Sequence, residues 1–354
     1  MRQATFLWTL WQALLAPFAS AFTRPGHRRF VEWVTALVLN VEEHTVTQSV
    51  VAVERTADWN ALERFVEYGA FRPEGLTKVL ADLVAKAPGS AWHGFRAWAV
   101  DDTKVHRSGE HVWGTCTFHE HTARCPNRAT TVRAHNWVCL GALLENDGKP
   151  AWYLPVSGAL YFRKKQLPFQ DGHAGPRVAF RTKCELAVGL LREQAKLADG
   201  PHLGVFDGGY ALGSVVRELV APQDGSPRIE FLTRLRRDAR LHAAPPERPK
   251  GRRGRPAKWG RKLSPPSQGG RWPGDWRQGQ AYLYGRRRTV RWKEVVCLWR
   301  VLGHDVAVKA VVACVEGYKK RFTVVSSVVG LSGLALVELF CARFPQEDGF
   351  RDLK

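Results

Sequence analysis

The apolar pattern of this 354-residue chain changes period near Phe95, and that change restricts the folds open to it. Upstream, apolar residues recur at helical spacing, as in Phe30, Val34, Leu37 and Val38 or in Leu62, Phe65 and Val66. Breaks fall at Pro25-Gly26 and Pro73-Glu74-Gly75. Downstream come short apolar runs bounded by polar or glycine-rich turns, at 97–100, 137–140 and 203–206, each of a length suited to a buried strand. A helical stretch at 178–197 separates the last two. Strands alternating with a helix predict an α/β core behind a helical N-terminal segment. Further strands are expected at 295–299, 307–315 and 322–329, and a helical end at 333–354.

Composition permits such a core, since 45% of the residues are hydrophobic and 14 Trp and 17 Phe supply bulk, which excludes a disordered chain. Lys and Arg outnumber Asp and Glu by 53 to 33, a net charge of +20 that favours a polyanionic partner, nucleic acid before an anionic membrane. The run 248–262 holds eight Lys or Arg in fifteen positions and reads as a flexible basic loop. Seven scattered cysteines do not form a secreted disulfide framework and predict a reducing cytoplasm. The stretch 5–22 imitates a signal peptide, but Thr9, Gln12 and Pro17 interrupt it and it runs straight into a helical segment, so neither secretion nor a membrane span is expected.

Three constellations can carry chemistry. Asp101 and Asp102 follow an apolar strand, where open α/β sheets bind ligands and where adjacent carboxylates suit hard cations such as Mg²⁺. A strand-to-turn Asp pair explains the same residues. Asp207 also ends an apolar strand and is followed by Gly208 and Gly209, which let a ligand or backbone approach closely, although Asp-Gly also marks ordinary turns. In the terminal run, Phe340, Arg343, Glu347 and Lys354 share one face of a continuous helix, placing a carboxylate between two cations. Pro345 offers the alternative that a helix starts there, with proline at its first position.

The terminal run resembles the Y-(2)-R-(3)-E-(6)-K signature of one large group of DDE insertion-sequence transposases. Phe340 stands in the Tyr position, Arg343, Glu347 and Lys354 fall at the signature's spacing, and FRDLK is a familiar ending. Asp-Asp-Thr at 101–103 and Asp-Gly-Gly-Tyr at 207–210 resemble the first and second Asp motifs, and 135–138 and 160–163 look like text from the same group. The similarity runs from about residue 22 to the end. It implies an α/β fold, with an RNase H-like catalytic core, a β-rich insertion and an N-terminal helical domain. The implied divisions are 1–90, helical and DNA-binding; 91–231, the first part of the core; 232–322, the insertion with basic loop 248–262; and 323–354, the end of the core with the Glu helix.

Position by position, the resemblance makes Asp101, Asp207 and Glu347 a triad holding two Mg²⁺ or Mn²⁺ ions, with Asp102 the alternative for the first role. It places Arg343 and Lys354 on DNA phosphates, joined by Arg252, Arg253, Arg255 and Lys258 of the basic loop and by Arg286, Arg287, Arg288, Arg291 and Lys293. The implied activity is metal-dependent cleavage at transposon ends and strand transfer into target DNA, by a homodimer in a synaptic complex, in the bacterial cytoplasm with the nucleoid and without a membrane. Phe340 and Pro345 depart from the signature. Relatives continue through more helix beyond Lys354, which leaves open an inactive or truncated remnant that only binds DNA. A membrane-surface protein would leave the carboxylate motifs unexplained. Cys116, His119, His121 and Cys125 lie close together but lack a finger's spacing and read as loop residues. His111 and His135 read as local hydrogen-bonding groups, and Trp8, Trp11 and Trp33 as core.

Overall fold

The computed structural model describes residues 2–42, 45–55, 59–109, 111–120, 130–147, 149–167, 178–222, 224–247 and 254–352, and forms two compact units, 1–83 and 84–354. The first unit carries α1 (Arg2–Leu15), a 3-10 turn, α2 (Arg24–Leu39), α3 (Val46–Ala52), α4 (Trp59–Tyr68) and the start of α5 (Pro73–Lys86). Thr23 and Thr45 cap α2 and α3 by accepting from the N–H of Gly26 and Gln48. Leu15, Phe18 and Val79 form its small core, on which Phe22 and Phe30 stack at 4.7 Å. Trp11 packs on this core and bonds Thr35, but Trp8 is 51% exposed and does not belong to it as expected.

The second unit is built on an 11-stranded sheet among the described residues. Its first half contains β1 (Arg96–His106), β2 (Cys116–His119), β3 (Thr131–Leu144) and β4 (Trp152–Tyr161), then α6 (Lys183–Leu197), β5 (His202–Phe206), α7 (Gly213–Val220) and β6 (Ile229–Arg234). Strand β3 pairs antiparallel with β1, β2 and β4, and β1, β5 and β6 run parallel. This order, β4-β3-β1-β5-β6, is the RNase H-like α/β core. From β6 the sheet continues antiparallel through β7 (Leu241–His242), β8 (Arg277–Leu283), β9 (Arg286–Trp299), β10 (Ala307–Val315) and β11 (Phe322–Ser326). These strands make the β-rich insertion continuous with the core sheet rather than a separate lobe. The chain ends in α8 (Gly333–Cys341) and α9 (Pro345–Asp352).

Helices cover both faces of the core. Leu203 and Val205 of β5 cluster with Leu336 and Leu339 of α8, while Gly204 between them faces Leu191 of α6. Seven of the nine residues of α8 are buried, because strands β5, β6 and β8 to β11 of the sheet all pack against it. Burying Leu336 and Leu339 completely stabilises this contact by about 2 kcal/mol each. The β8–β9 hairpin turns on Tyr284 (φ 52) and Gly285 (φ 80), the two left-handed residues of a type I′ turn. Its Tyr284 ring meets Phe344, just past α8, edge-on at 4.8 Å.

The structure departs from the expectations in places. Helix α6 begins at Lys183, not 178, because Thr182 and Glu185 close a capping box there. At the end of the chain the alternative offered by Pro345 holds rather than one continuous helix: Ala342, Arg343 and Phe344 form a turn and Pro345 opens α9, so Phe340 and Glu347 lie on different helices. Part of the basic run also differs from a free loop. Within it, residues 248–253 lie outside the described residues, but Trp259 packs 5.1 Å from His242 and beneath Arg300, and Ala243 accepts from Gly260 and donates to Arg261.

Candidate active site

Strand β1 lies between β3 and β5, and its successive side chains alternate between faces. Asp101 shares its face with Ala97 and Ala99, which pack in the same cluster as Leu336 and Leu339 of α8. Asp102 points the other way, toward α6, where Lys183 pairs with Oδ2 and the Tyr210 hydroxyl donates to Oδ1 at 3.3 Å. The parallel register pairs Val100 with Phe206 and Phe206 with Thr233. Asp207 remains extended (φ −72, ψ 167), so Asp101, Asp207 and Arg234 follow side by side on the α8 face. Thr233 holds the turn by donating to the Asp207 carbonyl at 3.2 Å. A Cβ on Gly208 would stand 3.3 Å from the Arg234 carbonyl, so glycine permits the close passage of β6 there.

Burial pushes the Asp101 carboxyl up to about 6. Arg343 and the Asp102 N–H, which donates to Oδ1 at 2.8 Å, oppose that rise, and the charges of Asp102 and Asp207 add to it. Arg343, 4% exposed, donates from Nη1 to Asp101 Oδ2 at 2.8 Å, with its guanidinium 5.7 Å from the Phe340 ring and 5.3 Å from the Phe344 ring. Its Nε has no hydrogen-bond partner among the described residues. Beside it, buried Gln346 donates to the Tyr153 hydroxyl at 3.3 Å and leaves Oε1 unpartnered among the described residues.

The structure thus brings together Asp101, Asp207 and Arg343. Glu347 is on α9, which packs against β1 and β4 on this face, but its side chain is exposed. Among the described residues no three His, Cys, Asp or Glu side chains gather as metal ligands. Asp101 and Asp207 are hard oxygen donors of the kind that a divalent cation takes, and exposed Glu347 on α9 stands outside that pair. Arg255 and Lys258 are exposed in irregular chain, while Arg252, Arg253 and Lys354 lie outside the described residues. Of the β9 cluster, Arg286 and Arg287 are exposed. Lys293 is not free for phosphate, because it is 8% exposed and donates to the carbonyls of Gly270 and Trp272.

Cys116 is buried on β2, and Arg163 N–H and the Gln166 carbonyl lie 3.5 and 3.7 Å from its sulfur. His121 and Cys125 lie outside the described residues. His135 bonds the Trp113 carbonyl at 2.8 Å. Sequence reading missed Cys139, Tyr153, Lys183, Arg234 and Gln346 around the carboxylates. Cys139 is visible only through its pairing opposite Asp101, and Arg234 only through the register of β6.

A family model described as DDE superfamily endonuclease matches residues 17–296, which takes in Asp101, Asp102 and Asp207 and ends before Arg343 and Glu347. No curated protein matches the chain. With both strand-borne carboxylates inside that match and an RNase H-like core beneath them, the chain belongs to the DDE superfamily endonucleases.

Proposed function

We propose that this endonuclease is a DNA transposase of the insertion-sequence type, with Asp101, Asp207 and Glu347 holding Mg²⁺ or Mn²⁺. The observation that supports the reading is that Asp101 and Asp207 directly follow the paired residues Val100 and Phe206 and lie close enough for the Asp207 charge to raise the Asp101 carboxyl. Asp102, the alternative for the first role, pairs instead with Lys183 on the other face, which favours Asp101. When bound, two such ions activate an attacking oxygen and stabilise the leaving oxygen of a phosphodiester. Attack by water on phosphorus breaks the bond to the 3′ oxygen, which leaves as a 3′-hydroxyl. That hydroxyl then attacks a target phosphodiester and releases its 3′ oxygen in turn.

The chain's own residues prepare this chemistry. Arg343 supplies a counter-charge to Asp101 and, released from Oδ2, offers planar donors to a DNA phosphate. Phe340 and Phe344 hold the guanidinium between them. Gln346 and Tyr153 fix the start of α9, the helix that carries Glu347. The same surface charge that favours DNA brings the substrate in.

The test is Mg²⁺-dependent nicking of DNA carrying the flanking element ends, by the unmodified chain and by Asp207→Ala and Glu347→Ala variants. Loss of nicking in both variants supports the triad. Undiminished nicking in either removes that residue from it, and DNA binding without cleavage by the unmodified chain makes this a remnant that only binds.

A further inference from the structure

Beyond the carboxylates, a groove of about 600 Å³ runs between the end of β6 and the β10–β11 turn. Its lining includes Arg234, Arg237, Lys319, Lys320 and Arg321, with the Ser267 and Thr323 residues between them. The five cations are all exposed, and among the described residues no carboxylate forms an ion pair with any of them. A folded surface usually intersperses the two signs, so five like charges along one groove are held apart at an electrostatic cost unless an anion lies among them.

The groove has a direction. Arg234 directly follows Thr233, which pairs with Phe206, so the cations begin at the strand end next to the one that carries Asp207. At the far end the Arg321 guanidinium lies 5.4 Å from the Trp276 ring, which Arg291 and Lys293 also approach at 5.7 and 6.0 Å. Trp276 thereby fixes the last cation of the row through its ring face. The turn residues Lys319 and Lys320 stand between these ends on the segment that joins β10 to β11.

We infer that this groove is a phosphodiester-backbone site that holds the DNA leading away from Asp207, through Arg234, Arg237, Lys319, Lys320 and Arg321. The inference rests on the reading of the chain as a DNA-cleaving enzyme. Contacts of this kind position a strand without reading its bases, and each phosphate neutralised releases counterions. Holding the backbone next to the cleavage site fixes the scissile phosphate with respect to the carboxylates.

The experiment compares the full chain with an Arg237→Ala, Lys319→Ala, Lys320→Ala triple variant and with a charge-matched control, Lys149→Ala, Lys165→Ala, Lys196→Ala, also at exposed positions. Fluorescence anisotropy follows binding to a duplex of about 30 base pairs of arbitrary sequence, in chelator, over a series of salt concentrations. The groove variant is expected to lose at least about tenfold in affinity near 100 mM salt and to lower the log–log salt slope by about 2 to 3, while the control changes the slope by less than about 1. Equal losses in the two variants, or a groove variant that binds like the unmodified chain, overturn the site. Circular dichroism of each variant separates loss of binding from loss of fold. Nicking by the unmodified chain, measured alongside, keeps the endonuclease reading standing when the groove fails, whereas an unmodified chain that neither binds nor nicks DNA overturns both.

Discussion

Replacing Arg343 by Met separates the charge of the Asp101–Arg343 pair from its packing. Methionine fills much of the space between Phe340 and Phe344 but offers no donor to Asp101. Removing one partner of a fully buried ion pair costs about 3–5 kcal/mol. Here the Arg343 side chain is 5% exposed but that of Asp101 is 24% exposed, so water relieves part of the orphaned charge and the loss falls to on the order of 2 kcal/mol near pH 8. Burial has already pushed the carboxyl up to about 6, so near pH 5 most of it is neutral and the ion pair is largely gone before the substitution is made. What remains to lose at that pH is one hydrogen bond, about 1 kcal/mol. Urea unfolding followed by tryptophan fluorescence at both pH values measures the difference. In an Asp101→Asn background the cost of Arg343→Met is expected to be the same at both. A loss in the original chain that does not change with pH, or one that persists unaltered in the Asp101→Asn background, refutes the coupling.

Four other outcomes follow. The folded Asp101 carboxyl keeps its proton up to about 6 whereas its ordinary value is 3.8, so its contribution to stability is full below the ordinary value and is lost as pH rises through about 6. Asp101→Asn removes that segment from the curve of urea midpoint against pH, and an unchanged curve contradicts the burial argument. Gly141→Ala should destabilise the second unit by about 2–4 kcal/mol, since the added Cβ meets the Tyr153 ring and stands 2.6 Å from the Leu154 carbonyl; an unshifted urea midpoint refutes this. Ser332→Ala deletes the side-chain acceptor for the Ala335 N–H at the start of α8 and should cost about 1 kcal/mol in the same assay. Burial pushes the thiols of Cys297 and Cys341 up to about 12, so neither should react with iodoacetamide in native protein, and mass spectrometry showing rapid labelling of either refutes their burial.

The change of period at Phe95 was legible because β1 and the helices before it follow different geometries, 2.0 against 3.6 residues per repeat. The extent of β3 was not. Its outer half, Thr131 to Asn136, mixes charged and polar residues with the buried Ala134, and only its inner part reads as an apolar run. The choice between Asp101 and Asp102 was illegible for a related reason. Strand β1 is covered on both faces, so residues 97–100 are all buried and the apolar run carries no mark of which face is which. Partner strands and the helices above them set the two carboxylates apart, with Arg343 on one side and Lys183 on the other. One missed feature did have a local signal. Thr182 and Glu185 spell a capping box that fixes the start of α6. Pro345, read from the sequence as an alternative helix start, does open α9 and separates Phe340 from Glu347. Arg234 had none, since its place beside Asp207 follows from the register of two parallel strands brought together by α7.

The most direct measurement of the central claim is Mg²⁺-dependent DNA nicking by Asp101→Asn and Asp102→Asn chains, each shown by circular dichroism to be folded. Loss of a metal-holding carboxylate is expected to lower the rate by about a thousandfold or more, so Asp101→Asn should be inactive. Asp102→Asn, which breaks only the contacts to Lys183 and Tyr210 on the opposite face, should retain nicking within about tenfold. An active Asp101→Asn chain, or an inactive Asp102→Asn chain beside it, contradicts the assignment of the α8 face as the site of cleavage.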